Sequence, residues 1–292
     1  MFKGSIVAIV TPFDAEGNFD EEAFRQLIEF QIENGTDAIV PCGSTGEAAT
    51  LDHAGHTEVI RACVEQVNKR VPILAGTGSN ATSEAIELTR AAKEAGADGA
   101  LLITPYYNKP SQEGLYQHFK ALAEEVALPQ VLYNVPGRTG INLTVDTTVR
   151  LAELPNVIGL KDASGSVSQA SEILARTGEE FAILSGDDGL TLPFMAIGAK
   201  GVISVTANIM PAEVKAVVST IEEGRWIDAR RLHLNLLDIH NAMFIESNPS
   251  PVKKALELMG KCSARLRLPL VDMQPQSVEQ LKTVMARYDL LA

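Results

Sequence analysis

The sequence predicts an α/β fold, a (β/α)8 TIM barrel over residues 1–224 followed by a C-terminal helical appendage over 225–292. Three observations predict it. Eight short, β-branched apolar runs recur between residues 5 and 206, stretches with helical apolar spacing separate them, and after residue 224 the β signal stops.

The first run, SIVAIVT (5–11), leads into the helix-patterned EEAFRQLIEFQIEN. AIVPC (38–42) follows ENGTD, where a glycine in the left-handed C′ conformation closes the preceding helix, and precedes GHTEVIRACVEQVNK. PILAG (72–76) is followed by TSEAIELTRAAKEAG, and GALLIT (99–104) comes after the same kind of glycine turn. QVLYN (130–134), VIGLK (157–161), FAILS (181–185) and GVISVT (201–206) complete the set. Runs this apolar, without clean alternation, suit parallel strands covered on both faces. Beyond residue 224, WIDARRLHLNLLDIHNAMF, PVKKALELMG and SVEQLKTVMARYDLL read as helices that pack against the barrel.

A chain of 292 residues, 46% hydrophobic, can bury a large core. Its 25 Lys+Arg against 37 Asp+Glu leave a net charge of -12, which repels nucleic-acid phosphates and anionic membrane surfaces, so neither partner is expected. An anionic substrate would have to be held by locally placed Arg, Lys or backbone N–H groups. Cys42, Cys63 and Cys262 form no CxxC pair and read as reduced thiols. The N-terminus lacks a signal-peptide pattern, and no run approaches the roughly 20 apolar residues of a membrane span. A soluble, cytoplasmic protein is the expectation.

Barrel active sites lie where the strands end. The candidates there are Thr11, the GSTGE segment, TPYYNKP, Tyr133, Lys161, Ser185 to Asp188 and the end of the eighth run. Lys161 closes an apolar strand with Gly159 on the same face, which aims its amine into the barrel mouth. An ordinary lysine has only about one neutral amine in 2,500 at pH 7, so burial is what makes such an amine nucleophilic. A single strand-end Lys is more often a snorkelling charge, and its companions decide the matter. Tyr133 ends the neighbouring strand with a phenol able to move protons. Ser44 and Thr45, with the N–H groups of GSTGE, suit a carboxylate, although many βα turns carry such residues for capping alone. Arg138, in the turn-rich VPGRTG, offers a guanidinium for a second carboxylate.

Two other chemistries have weaker support. Gly76, Gly78 and Ala81 match a dinucleotide-binding GxGxxA pattern, but Asp98, about twenty residues on, precedes the next strand instead of ending it. His53 and His56 lack the third ligand a metal site needs, so no metal is expected.

Taken together, GSIVAIVTPF, GSTGEAATL, PILAGTGSNAT, TPYYNKPSQEGLYQHF, YNVPGRTG, IGLKDASG, SGDD, GVISVTAN and ESNPSPVK resemble the dihydrodipicolinate synthase family, within the pyruvate-dependent N-acetylneuraminate lyase superfamily. The resemblance runs nearly end to end. It implies a Schiff-base lyase of diaminopimelate and lysine biosynthesis that condenses pyruvate with L-aspartate 4-semialdehyde and needs no cofactor. By the same resemblance Lys161 forms the imine, Tyr133 donates and accepts protons, and Ser44 and Tyr107 complete a hydroxyl relay, Tyr107 reaching a neighbouring subunit. Thr45, Gly186 and the Ile203 backbone would hold substrate, and Arg138 the carboxylate of the aldehyde. Ala49, His53, His56, Asn80, Glu84 and Tyr106 match a site for L-lysine as feedback inhibitor, and a homotetramer built from dimers is implied.

Three positions depart from the family pattern. Ser44 stands where Thr is usual, Asp162 where Glu is usual, and Ala48 where Ser is common. Another pyruvate-dependent aldolase acting on a sugar acid is the alternative enzyme, and a non-catalytic amino-acid-binding protein is the alternative class.

Overall fold

The computed structural model describes residues 2–291. Eight strands, β1 (Gly4–Ala8), β2 (Ala38–Val40), β3 (Leu74–Gly76), β4 (Gly99–Ile103), β5 (Gln130–Asn134), β6 (Val157–Asp162), β7 (Ala182–Ser185) and β8 (Gly201–Ser204), pair in parallel in the order β2-β1-β8-β7-β6-β5-β4-β3. A parallel bridge between Ile39 and Ile73 joins β2 to β3 and closes the barrel. The expected (β/α)8 architecture is therefore present.

Strand periodicity explains why the runs look continuously apolar. Ile6, Val40, Leu101, Val131, Leu184 and Ile203 fill the barrel interior, while their neighbours Val7, Ile39, Leu102, Leu132, Ile183 and Val202 face the surrounding helices. Pairing is deepest from β4 to β6, where Leu101, Leu102 and Ile103 sit opposite Val131, Leu132 and Tyr133, and Leu132, Tyr133 and Asn134 opposite Leu160, Lys161 and Asp162. It is thinnest at the β2–β3 joint and between β7 and β8, where a single register pair, Ser185 with Val202, is made.

Several expected strands stop early, β2 at Val40 and β4 at Ile103 among them, and the first and the eighth show why. The first run ends at Ala8 because the Val10 N–H leaves the ladder for Asn208 Oδ1 at 3.1 Å. The eighth ends at Ser204 because the Val205 and Thr206 N–H groups turn to the Asp188 carboxylate, at 2.9 and 3.2 Å. VPGRTG, expected as a loop, makes one helical turn, Pro136–Thr139, with Pro at the first helical position and Gly140 left-handed (φ 74°) at its end.

After residue 224 come the helices Trp226–Asn235, Leu237–Ala242, Ser250–Leu258 and Pro275–Met285. Their Ile239, Met243, Val252, Leu256 and Leu281 share one apolar cluster with Val10, Phe24 and Ile28. The helix Ser250–Leu258 thereby delivers polar side chains to the strand ends.

Candidate active site

Lys161 and Tyr133 are register partners on β6 and β5, so their side chains leave the sheet side by side on its inner face. Lys161 is only 6% exposed, and its Nζ stands 4.2 Å from the centre of the Tyr133 ring. Gly159, two residues earlier on the same face, is required by close packing, since a Cβ there would come 2.4 Å from the Ala182 carbonyl. Burial pulls the Lys161 ammonium down to about 7; the Asp188 carboxylate opposes this and Arg138 adds to it. Near neutrality about half of such amines carry a free lone pair. The Tyr133 phenol is pushed up by burial, with Arg138 and Ser44 opposing, so it is a proton donor at neutral pH.

The GSTGE segment leaves β2 through two left-handed residues, Cys42 (φ 54°) and Glu47 (φ 53°), and folds tightly because a Cβ at Gly46 would lie 3.0 Å from the Cys42 nitrogen. Glu47 is locked in place. Its Oε1 accepts from Lys253 Nζ at 2.7 Å and its Oε2 from the Arg267 N–H at 3.1 Å, and Lys253 also donates to the Thr11 carbonyl at 2.9 Å. This buried ion pair ties the loop carrying Ser44 and Thr45 to the C-terminal helices. Thr45 Oγ1 accepts from Asn248 Nδ2 at 2.9 Å, and Arg138 Nη2 donates to the Asn248 carbonyl at 3.1 Å. Ser44, Tyr133, Arg138 and Asn248 line one cavity at the strand ends.

The remaining expected site residues fall in three groups. Ile203 is fully buried on the inner face of β8, and Gly186 extends the β6–β7 ladder by donating to the Asp162 carbonyl at 2.7 Å, with no room for a Cβ beside Ala163. Tyr107 is not brought to Lys161 within the chain: it is left-handed (φ 71°) and 90% exposed. Ala49, His53, His56, Glu84 and Tyr106 line a continuation of the same cavity, and Asn80 Nδ2 donates to the Tyr106 carbonyl at 3.2 Å. There the Glu84 carboxylate raises the pKa of exposed His53, 3.0 Å away, whereas burial lowers that of His56, whose Nε2 meets the Gly76 carbonyl at 2.8 Å.

Two ambiguities of the sequence resolve physically. A Cβ at Gly76 would lie 2.2 Å from the Cys42 carbonyl and one at Gly78 2.4 Å from the Ile103 nitrogen, so both glycines serve strand packing. Asp162, on the outer side of β6, accepts from the Ser164 N–H at 2.7 Å and shapes the turn after the strand. Among the described residues no group of three or more His, Cys, Asp or Glu is placed to hold a metal, and no helix is long and apolar enough to cross a membrane.

Asn248 and the Glu47–Lys253 pair escaped sequence reasoning, and Asp188, though among the strand-end candidates, received no role from it. Asp188 sits in SGDD and Asn248 in ESNPSPVK, both motifs already noted, but nothing local shows what they touch.

Residues 1–287 match the dihydrodipicolinate synthetase family. The chain belongs to that family. The 4-hydroxy-tetrahydrodipicolinate synthase of Syntrophotalea carbinolica is 68% identical over 291 residues, covering 100% of this chain and 99% of the relative. The structure of chloride-inhibited dihydrodipicolinate synthase from Acinetobacter baumannii, complexed with pyruvate, superposes with a TM-score of 0.98 at 49% identity, covering both chains completely. The dihydrodipicolinate synthase of Cyanidioschyzon merolae with lysine bound gives a TM-score of 0.97 at 41% identity over 99% of each chain.

Proposed function

We infer that this chain is a lyase with 4-hydroxy-tetrahydrodipicolinate synthase activity, condensing pyruvate with L-aspartate 4-semialdehyde through an imine on Lys161. The observation that carries this reading is a buried amine with a pKa near 7 beside a protonated phenol. The neutral Nζ attacks the pyruvate carbonyl, and water leaves as the imine forms. Loss of a methyl proton gives the enamine, whose carbon attacks the aldehyde and makes the new C–C bond. The substrate amine then adds to the imine carbon, the bond to Nζ breaks, and Lys161 is regenerated. Tyr133, with Ser44, carries the protons these steps release and require. Thr45, Gly186 and the Ile203 backbone hold pyruvate, and Arg138 holds the carboxylate of the aldehyde.

Tyr107, turned outward on a strained backbone, serves the relay of a neighbouring copy in a homotetramer, and L-lysine occupies the cavity lined by His53, His56 and Glu84. The three unpaired cysteines fit a cytoplasmic setting.

Borohydride reduction in the presence of pyruvate should leave a covalent adduct on Lys161, found by peptide mass; an unmodified Lys161 refutes the reading. Arg138→Ala should cut kcat/KM for aspartate semialdehyde by about 100-fold or more, as expected for a lost charge-assisted pair. Unchanged turnover would favour an uncharged or sugar-acid aldehyde.

A further inference from the structure

Asn248 lies just before the helix Ser250–Leu258 and is 5% exposed, yet it lines the cavity with Ser44, Tyr133 and Arg138. Two of its polar groups bond residues of the site and a third is unpaired. Nδ2 donates to Thr45 Oγ1, the main-chain carbonyl accepts from Arg138 Nη2, and Oδ1 is buried with no partner among the described residues. Buried carbonyl oxygens are rarely left unpaired, so an orphan on a residue that lines the cavity marks where a ligand donor belongs.

The amide nitrogen has only protons to give. It therefore occupies a lone pair of Thr45 Oγ1, and the Thr45 proton is left for an acceptor brought by the ligand. A 2-oxo acid carboxylate is such an acceptor. The orphan Oδ1 has the opposite polarity: it accepts, and it belongs to the residue that Arg138 already grips. A guanidinium bonded to the Asn248 main chain and a carbonyl oxygen on the Asn248 side chain match a carboxylate and an ammonium borne on one carbon. A neutral amide suits this role better than a carboxylate, because it raises the ammonium pKa less and leaves the amine free to lose the proton it must shed before it attacks the imine.

We propose that Asn248 recognises the α-ammonium of the second substrate through Oδ1 while Nδ2 sets the direction of the Thr45 hydroxyl for the first. The proposal rests on the activity inferred above and deepens it. The site is thereby selective for an α-amino aldehyde acid over the same aldehyde without its amine.

The test uses the full-length protein with pyruvate, aspartate semialdehyde and succinic semialdehyde, which keeps the carboxylate and lacks the amine. Asn248→Ala should raise KM for aspartate semialdehyde about 10- to 100-fold, as for a lost hydrogen bond to a charged group, while the inhibition constant of succinic semialdehyde moves less than about 3-fold. Asn248→Asp is isosteric and keeps the test open should the alanine variant unfold. It retains an acceptor for the ammonium but cannot donate to Thr45, so KM for pyruvate should rise about 10-fold or more with discrimination between the aldehydes preserved. Equal losses for the two aldehydes in Asn248→Ala, or lost discrimination in Asn248→Asp, overturn the proposal alone. A wild-type protein that traps pyruvate but never consumes aspartate semialdehyde overturns the activity and this assignment together.

Discussion

Lys161 and Lys253 are both buried, and each ammonium stands over an aromatic ring, Tyr133 at 4.2 Å and Phe13 at 4.3 Å. Their partners differ. Lys253 meets Glu47 at 2.7 Å and the Thr11 carbonyl at 2.9 Å, whereas Lys161 has no ion pair among the described residues and feels Asp188 only through space. Burial pulls both amines down, and Glu47 opposes that pull at Lys253 directly. Burial alone therefore does not make a nucleophile. A dedicated carboxylate turns a buried lysine into a fixed cation that anchors the GSTGE loop, and the lack of one frees the other for chemistry.

The comparison can be broken at either lysine. Lys161→Met should remove turnover by on the order of 10⁴-fold or more and abolish borohydride trapping, with the fold intact by circular dichroism. Retained trapping would mean that Lys253 or another amine is reactive. Lys253→Met leaves the Glu47 charge buried and unpaired, so denaturant unfolding should show a loss of about 3–5 kcal/mol. Adding Glu47→Leu should return much of it; if the double variant is no better than the single, the pair is not the cause.

Smaller effects separate the two amines by pH. The rate of imine formation should rise about tenfold per pH unit below about 7 and level off above it, following deprotonation of Lys161. A profile still rising at pH 9 would contradict the assignment. Stability carries the same mark. Between about 7 and the ordinary 10.5, the folded chain binds fewer protons at Lys161 than the unfolded chain does, so Lys161 costs stability that is recovered as pH rises through this window. Lys161→Met should accordingly be more stable than wild type to denaturant at pH 7, by at most about a few kcal/mol, with the gain fading towards pH 10.

The sequence made local periodicity legible, and with it the eight strands, the shared face of Gly159 and Lys161, and the neighbouring position of Tyr133. Family resemblance added roles that periodicity could not assign. What neither showed were contacts across the chain's length: Asn248 reaches Thr45 over 203 residues and Lys253 reaches Glu47 over 206. Such contacts depend on how the C-terminal helices dock, which no local pattern encodes. The strand ends were misjudged for a related reason, because the groups that capture the departing N–H donors, Asn208 and Asp188, lie on other segments.

The uneven pairing of the barrel has a consequence for how it breathes. Local opening is expected where backbone pairing is sparsest, at the joint closed by Ile39 and Ile73 and between β7 and β8. That joint lies beside the GSTGE loop, while Lys161 rides on the most completely laddered staves. Isotope exchange at backbone amides should then be faster beside the GSTGE loop than at the strands that carry Tyr133 and Lys161; uniform exchange around the barrel wall would contradict this.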